Sequence, residues 1–139
     1  MLSGSALLVF LHVVANLVWI GSITATAIAL VTPGVDLGAR GAIAYGIYRR
    51  AAVPAFGLAF VSGLVRLALD THYYLVATHY MHAKLLFALI VIALHHVIGA
   101  RAKRAAAPES KEPGNVAVLC VGLLACATAA AFLVLLKPF

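Results

Sequence analysis

Charge is scarce in this sequence. Only 10% of its 139 residues are Asp, Glu, Lys or Arg, against about 25% in a soluble domain. That shortage excludes an ordinary solvated surface. With 65% of the residues hydrophobic and a mean hydropathy of +1.09, a globule of this size cannot enclose its own apolar area, so lipid must cover part of it. Cysteine is nearly absent too, and two of them do not make a disulfide framework. There is no internal repeat. A net charge of +6 would point to nucleic acid in a soluble chain. Here the basic residues gather at the ends of apolar runs, where they report orientation and contact with anionic lipid, and no nucleic-acid partner is expected.

What the sequence does have is four apolar runs, each near the roughly 20 residues that a bilayer-spanning helix needs. They cover about 6–31, 51–69, 80–100 and 116–136. The first ends at Thr32-Pro33-Gly34. The second lies between Arg49-Arg50 and Asp70, the third stops at Arg101, Lys103 and Arg104, and the fourth closes on Lys137-Pro138-Phe139. The segment RGAIAYGIYRR, 40–50, is either an interfacial helix or an early start of the second span near 41. The loop 101–115 holds Pro108, Pro113 and Gly114 and reads as a polar hairpin. The first run lacks a basic leader, is too long for a signal peptide and contains His12 and Asn16, so it is expected to stay as a helix. The predicted fold is a single all-α domain, 1–139, forming an integral membrane four-helix bundle.

Orientation follows from Lys and Arg. Arg40, Arg49, Arg50, Arg101, Lys103, Arg104 and Lys111 lie in the first and third connections. The N-terminal tail and the second connection hold none, and the C-terminus only Lys137. The positive-inside rule then puts those loops in the cytoplasm and both termini outside, in a multi-pass protein of the inner (plasma) membrane. Small residues at Gly21/Ala25/Ala29, Ala55/Ala59/Gly63 and Gly122/Cys126/Ala130 recur every four positions and predict close helix packing. Cys126 belongs to such a stripe, Cys120 lies off it, and both are expected to fill space.

In so apolar a chain the informative residues are the polar ones inside the spans. His12, Asn16 and Trp19 share one face of the first helix. Arg66 lies in the last turn of the second span, and His82 and Lys84 in the first turns of the third. Alternation of direction puts all of them near the same membrane surface. Plain readings exist: a carbonyl partner for His12, an i, i+4 ion pair of Arg66 with Asp70, snorkelling of Lys84, and interfacial imidazoles for His72, His79 and His82. Together, though, His12 and His82 suit the two axial positions of a haem b between helices, with Asn16 and Trp19 alongside. Arg66 and Lys84 would hold anionic groups of the cofactor or substrate, which makes them candidate catalytic residues too. A rival outer metal site would use His72, His79 and His82 for copper or zinc. His95 and His96, at the other end of the third helix, are expected to contact headgroups or a loop.

These residues resemble a known family. MHAKLLFALIVIALHHVIGARAKR is similar to the H-x-K-L…H segment of the HemJ-type protoporphyrinogen IX oxidases, at His82, Lys84, Leu85 and His95. FLVLLKPF resembles that family's C-terminal Lys-Pro-Phe, at Lys137, Pro138 and Phe139. The second span is similar at Arg50, Pro54, Ala55 and Gly63, and the first at His12, Trp19 and Gly21. The CopD-type membrane domain looks like a more distant relative. Two stretches depart from the HemJ pattern: ATAIALVTPGVDLG after the first span and KEPGNVAVLCVG before the last. The resemblance implies a membrane haem b protein that oxidises protoporphyrinogen IX to protoporphyrin IX, with His12 a haem ligand, Lys84 an essential neighbour, and electrons leaving to quinone or the respiratory chain. The alternatives are a copper-handling CopD-like protein, or a small structural or assembly subunit that forms a homo-oligomer or joins a larger membrane complex.

Overall fold

The computed structural model describes residues 4–109 and 112–136, and is helical with no strand among them. Lys111 and the Lys137-Pro138-Phe139 end lie outside the described residues. The helices are α1 (Gly4–Val31), α2 (Leu37–Ile47), α3 (Val53–Leu69), α4 (Tyr80–Ala105) and α5 (Val116–Leu136). A π-helical turn, Tyr48–Ala52, joins α2 to α3 without a break, and a second one, Tyr73–Ala77, precedes α4. Four segments are long and apolar enough to cross a membrane: Gly4–Val31, Leu37–Leu69, Tyr80–Ala105 and Val116–Leu136. The helix that carries the second apolar run is thus continuous from Leu37, so 40–50 is helical.

Local chemistry sets the breaks. Pro33 cannot continue α1, Gly34 supplies a backbone φ of 77°, and the Asp36 carboxylate caps α2 by accepting from the Ala39 amide at 3.1 Å. Pro54 has no N–H and its ring would collide with the Arg50 carbonyl four residues back. The helix widens there into the π-turn, whose Val53 amide donates to the Tyr48 carbonyl. At the other hairpin Gly114 has φ 64°, and Arg101 Nη1 donates to the Pro113 carbonyl at 2.8 Å.

The central helix is α1, which touches every other helix. Its packing face is Ala15, Trp19, Ile23, Ala27 and Leu30, all buried. The expected Gly21/Ala25/Ala29 stripe does not serve: Gly21 and Ala25 are exposed, because the larger side chains of the other face do the packing. Ala55, Ala59 and Gly63 do pack, letting α3 lie close along α1. Cys120 is more buried than Cys126 and lies in the core.

Paired contacts fix the register. His12 meets Ala59 and Ser62 while Trp19 meets Phe56, so α3 runs against α1; Gly41 meets Ala105 while Tyr48 covers Gly99, so α2 runs against α4; α2 and α3 are continuous, which leaves α1 and α4 parallel, with Trp19 level with His95. The Gly41 backbone lies directly on that of Ala105, too close for any side chain. Level with Gly99 the chain turns from apolar to basic, at Arg49 and Arg50. From Tyr80 to Ile98 is about 27 Å at ~1.5 Å per residue, close to the roughly 30 Å hydrocarbon core of a bilayer. Beyond that level α2, the ends of α1 and α4 and the start of α5 pack together, with Leu30, Ala44, Ala102, Ala105 and Val116 fully buried. Arg40 ties this collar together through the Leu30 carbonyl (3.1 Å) and Glu112 (3.8 Å).

Candidate functional site

His12, in the third turn of α1, is half-buried between α1 and α3. Gly63 makes room for it, since a Cβ there would come within 2.9 Å of the imidazole. Its Nδ1 lies 2.9 Å from the Ala59 carbonyl and 3.0 Å from Ser62 Oγ. A carbonyl oxygen only accepts, so Nδ1 carries the proton and Nε2 presents a lone pair. That is the tautomer of a metal-ligating imidazole backed by a carbonyl. Asn16 Nδ2 donates to the His12 carbonyl at 2.7 Å and lies 3.3 Å from Nε2.

The other outer residues fall differently from the sequence expectation. Carried seven residues up both helices, the Trp19–His95 register puts Ala88, not His82, opposite His12. His82 stands six residues nearer the end, about 9 Å along the axis at ~1.5 Å per residue. It is exposed and stacks on His79 with ring centroids 6.5 Å apart. The four residues therefore do not share one depth. Lys84 is half-buried about one turn from the His12 level, near enough for its charge to act on that ring. Arg66, at a matching height on α3, does not pair with Asp70. Its Nε donates to the Tyr74 hydroxyl at 2.9 Å, and its guanidinium lies 5.8 Å from the Tyr74 ring centre. Asp70 has left the helix, and its carboxylate accepts from the Tyr73 amide at 3.4 Å. Among the described residues no three His, Cys, Asp or Glu side chains gather as a metal-ligand set, so His72, His79 and His82 are not brought together as a trio.

A second polar centre appears where only headgroup or loop contact was expected. His95 is fully buried, while His96 is exposed. Trp19 does not serve His12; its Nε1 donates to His95 Nδ1 at 3.1 Å. Tyr48, Phe56 and His96 surround the same imidazole, with centroids 5.0, 5.1 and 5.0 Å away. An indole N–H can only donate, so Nδ1 accepts and the neutral ring carries its proton on Nε2, which is buried with no hydrogen-bond partner among the described residues. The signal for this centre was present in Gly99, four residues after His95, where the Tyr48 ring takes the place of a side chain.

The two imidazoles are thus held in opposite tautomers. Of the two, His12 is the one that offers a lone pair on Nε2, with Lys84 and Arg66 as cations about one turn away. Comparison with family models, with curated proteins and with solved structures finds no match.

Proposed function

We propose that this is a membrane haem b protein with a redox role, in which His12 would hold the iron and Lys84 and Arg66 would receive the propionates. The observation that carries the reading is the Nδ1–H of His12 anchored on the Ala59 carbonyl, which leaves Nε2 unprotonated inside a lipid-covered bundle. An intramembrane imidazole held in its ligating form is a functional group by default. Bound haem would supply one-electron chemistry at its iron. The chain's own part is to hold the ligand's tautomer, to offer two cations to anionic groups, and to keep water from the site with the apolar residues around it.

The resemblance to the HemJ-type family extends this to oxidation of protoporphyrinogen IX to protoporphyrin IX, with quinone or the respiratory chain taking the electrons. The distribution of Arg and Lys supports an inner-membrane orientation with the basic collar in the cytoplasm and both ends outside. The test is the absorption spectrum of freshly purified protein. A Soret band is expected, lost in His12→Ala, weakened in Lys84→Met and kept in His96→Ala. Because His82 stands nearer the end, His82→Ala should keep most of the haem. Colourless wild-type protein from haem-replete cells would overturn the reading. Rescue of haem synthesis in cells lacking protoporphyrinogen oxidase tests the enzymatic part; bound haem without rescue would assign electron transfer instead.

A further inference from the structure

α3 and α4 both pack on α1 but barely approach one another. Where they do meet, it is through Phe56 of α3 and the paired imidazoles of α4. The Phe56 ring centre lies 5.1 Å from that of His95 and 5.6 Å from that of His96, edge-on to the latter. Phe60, one turn further along α3, extends the aromatic wall at 5.7 Å from Phe56. His96 and Phe60 are exposed. We infer that the corner formed by His96, Phe56 and Phe60 docks a membrane quinone, its ring laid on the phenylalanines and a carbonyl oxygen accepting from His96.

Three observations select that occupant. The first is access. His96 stands three residues on the hydrocarbon side of Gly99, about 4.5 Å at ~1.5 Å per residue. With α1 behind the corner, a ligand reaches it from the bilayer and must dissolve there. The second is polarity. The His96 ring lies 5.0 Å from that of His95, whose buried Nε2–H has no acceptor among the described residues. Imidazole donors at this depth need an acceptor. A phosphate would be drawn instead to Arg49 and Arg50, beyond Gly99, so the corner suits a neutral carbonyl compound. The third is shape. Aromatic faces with one or two polar groups are the usual lining for a small planar ligand. Trp19, on the same face of α1 as His12, touches both Phe56 and His95, with ring centres 5.0 and 5.6 Å away. The corner is eight residues from the His12 level, about 12 Å at ~1.5 Å per residue. Its purpose rests on the proposed redox role, as the place where a haem at His12 would meet its exchange partner; the binding itself does not.

The chain has a single tryptophan, and Trp19 is the built-in reporter. Decylubiquinone is titrated into the purified protein in detergent while Trp19 emission is read. Saturable quenching is expected above the linear collisional background. His96→Leu should weaken it about 10-fold, the size of one lost hydrogen bond. His96→Gln keeps an N–H and should restore most of the affinity. Phe60→Ala should weaken binding as well, whereas Phe132→Ala, which removes an exposed phenylalanine of α5, should not. His12→Ala should bind the quinone normally. Colourless protein with saturable quenching would therefore overturn the haem reading and leave this site, and haem-bearing protein without it would do the reverse. Equal loss in Phe132→Ala, or unchanged binding in both His96→Leu and Phe60→Ala, would overturn the site. Displacement of the quinone by excess dioleoylphosphatidylcholine would make the corner an ordinary lipid contact and overturn it too.

Discussion

Trp19 and His95 are joined across α1 and α4 by an indole-to-imidazole hydrogen bond of 3.1 Å that no water reaches, both residues being buried. The bond fixes the register of the two parallel spans and the tautomer of the histidine together. Trp19→Phe keeps most of the ring volume and strands Nδ1, so it should destabilise by about 1–3 kcal/mol. His95→Leu should cost a similar amount by leaving the indole N–H alone. The double variant should cost less than the two summed, because neither buried group is then left unpaired. A double-mutant cycle on unfolding in detergent measures this; simple additivity would reduce the pair to packing.

Glycine positions separate contact from mere spacing. A Cβ at Gly41 would run into the Ala105 backbone, which cannot step aside, whereas nothing lies within 4 Å of one at Gly21 or Gly57. Gly41→Ala should therefore lower stability by about 1–3 kcal/mol or more. Gly21→Ala and Gly57→Ala should be neutral or stabilising by up to ~1 kcal/mol, since alanine favours the helix. Thermal unfolding of the three variants in one detergent decides it, and equal effects would show that α2 does not lie on α4 as described.

The spans were legible in the sequence because their punctuation is local. Thr32-Pro33-Gly34 and Asp70 end helices by local backbone chemistry, the Arg101–Arg104 cluster ends the apolar run although α4 itself continues to Ala105, and run length does the rest. The site was less legible because it depends on register, which no local signal carries. His95 was expected at a loop or headgroup; α4 runs on to Ala105 and α2 packs over that end, so the residue is interior. The plain reading of Arg66, an ion pair with Asp70, rests on helical spacing alone. The helix ends at Leu69, the Asp70 backbone turns away, and Tyr74 becomes the nearer partner. His12 was read correctly as a face shared with Asn16, but its anchor, the Ala59 carbonyl, is a backbone atom that no side-chain pattern announces.

Orientation has its own check. With the basic collar in the cytoplasm, a reporter active only in the cytoplasm should be silent when fused after Phe139 and active when inserted in the loop between Ala107 and Asn115. Activity from the C-terminal fusion would invert the molecule and put the His12 level at the cytoplasmic surface.

Asn16 gives the sharpest test of how His12 is prepared. Its amide holds the His12 carbonyl at 2.7 Å and lies 3.3 Å from Nε2, the longer and weaker of the two contacts. If Nε2 serves iron, the amide must yield that contact on haem binding while keeping the carbonyl bond. Asn16→Leu removes the competitor without touching the Nδ1 anchor on Ala59, so haem should still bind, with equal or greater retention. Gly63→Ala acts from the other side: its Cβ would press to 2.9 Å from the imidazole and turn the ring off its anchor, so the Soret maximum should shift and retention fall. The contrast between the two is the useful reading. Loss of haem in Asn16→Leu with normal retention in Gly63→Ala would mean that the amide, not the Ala59 carbonyl, positions the ligand.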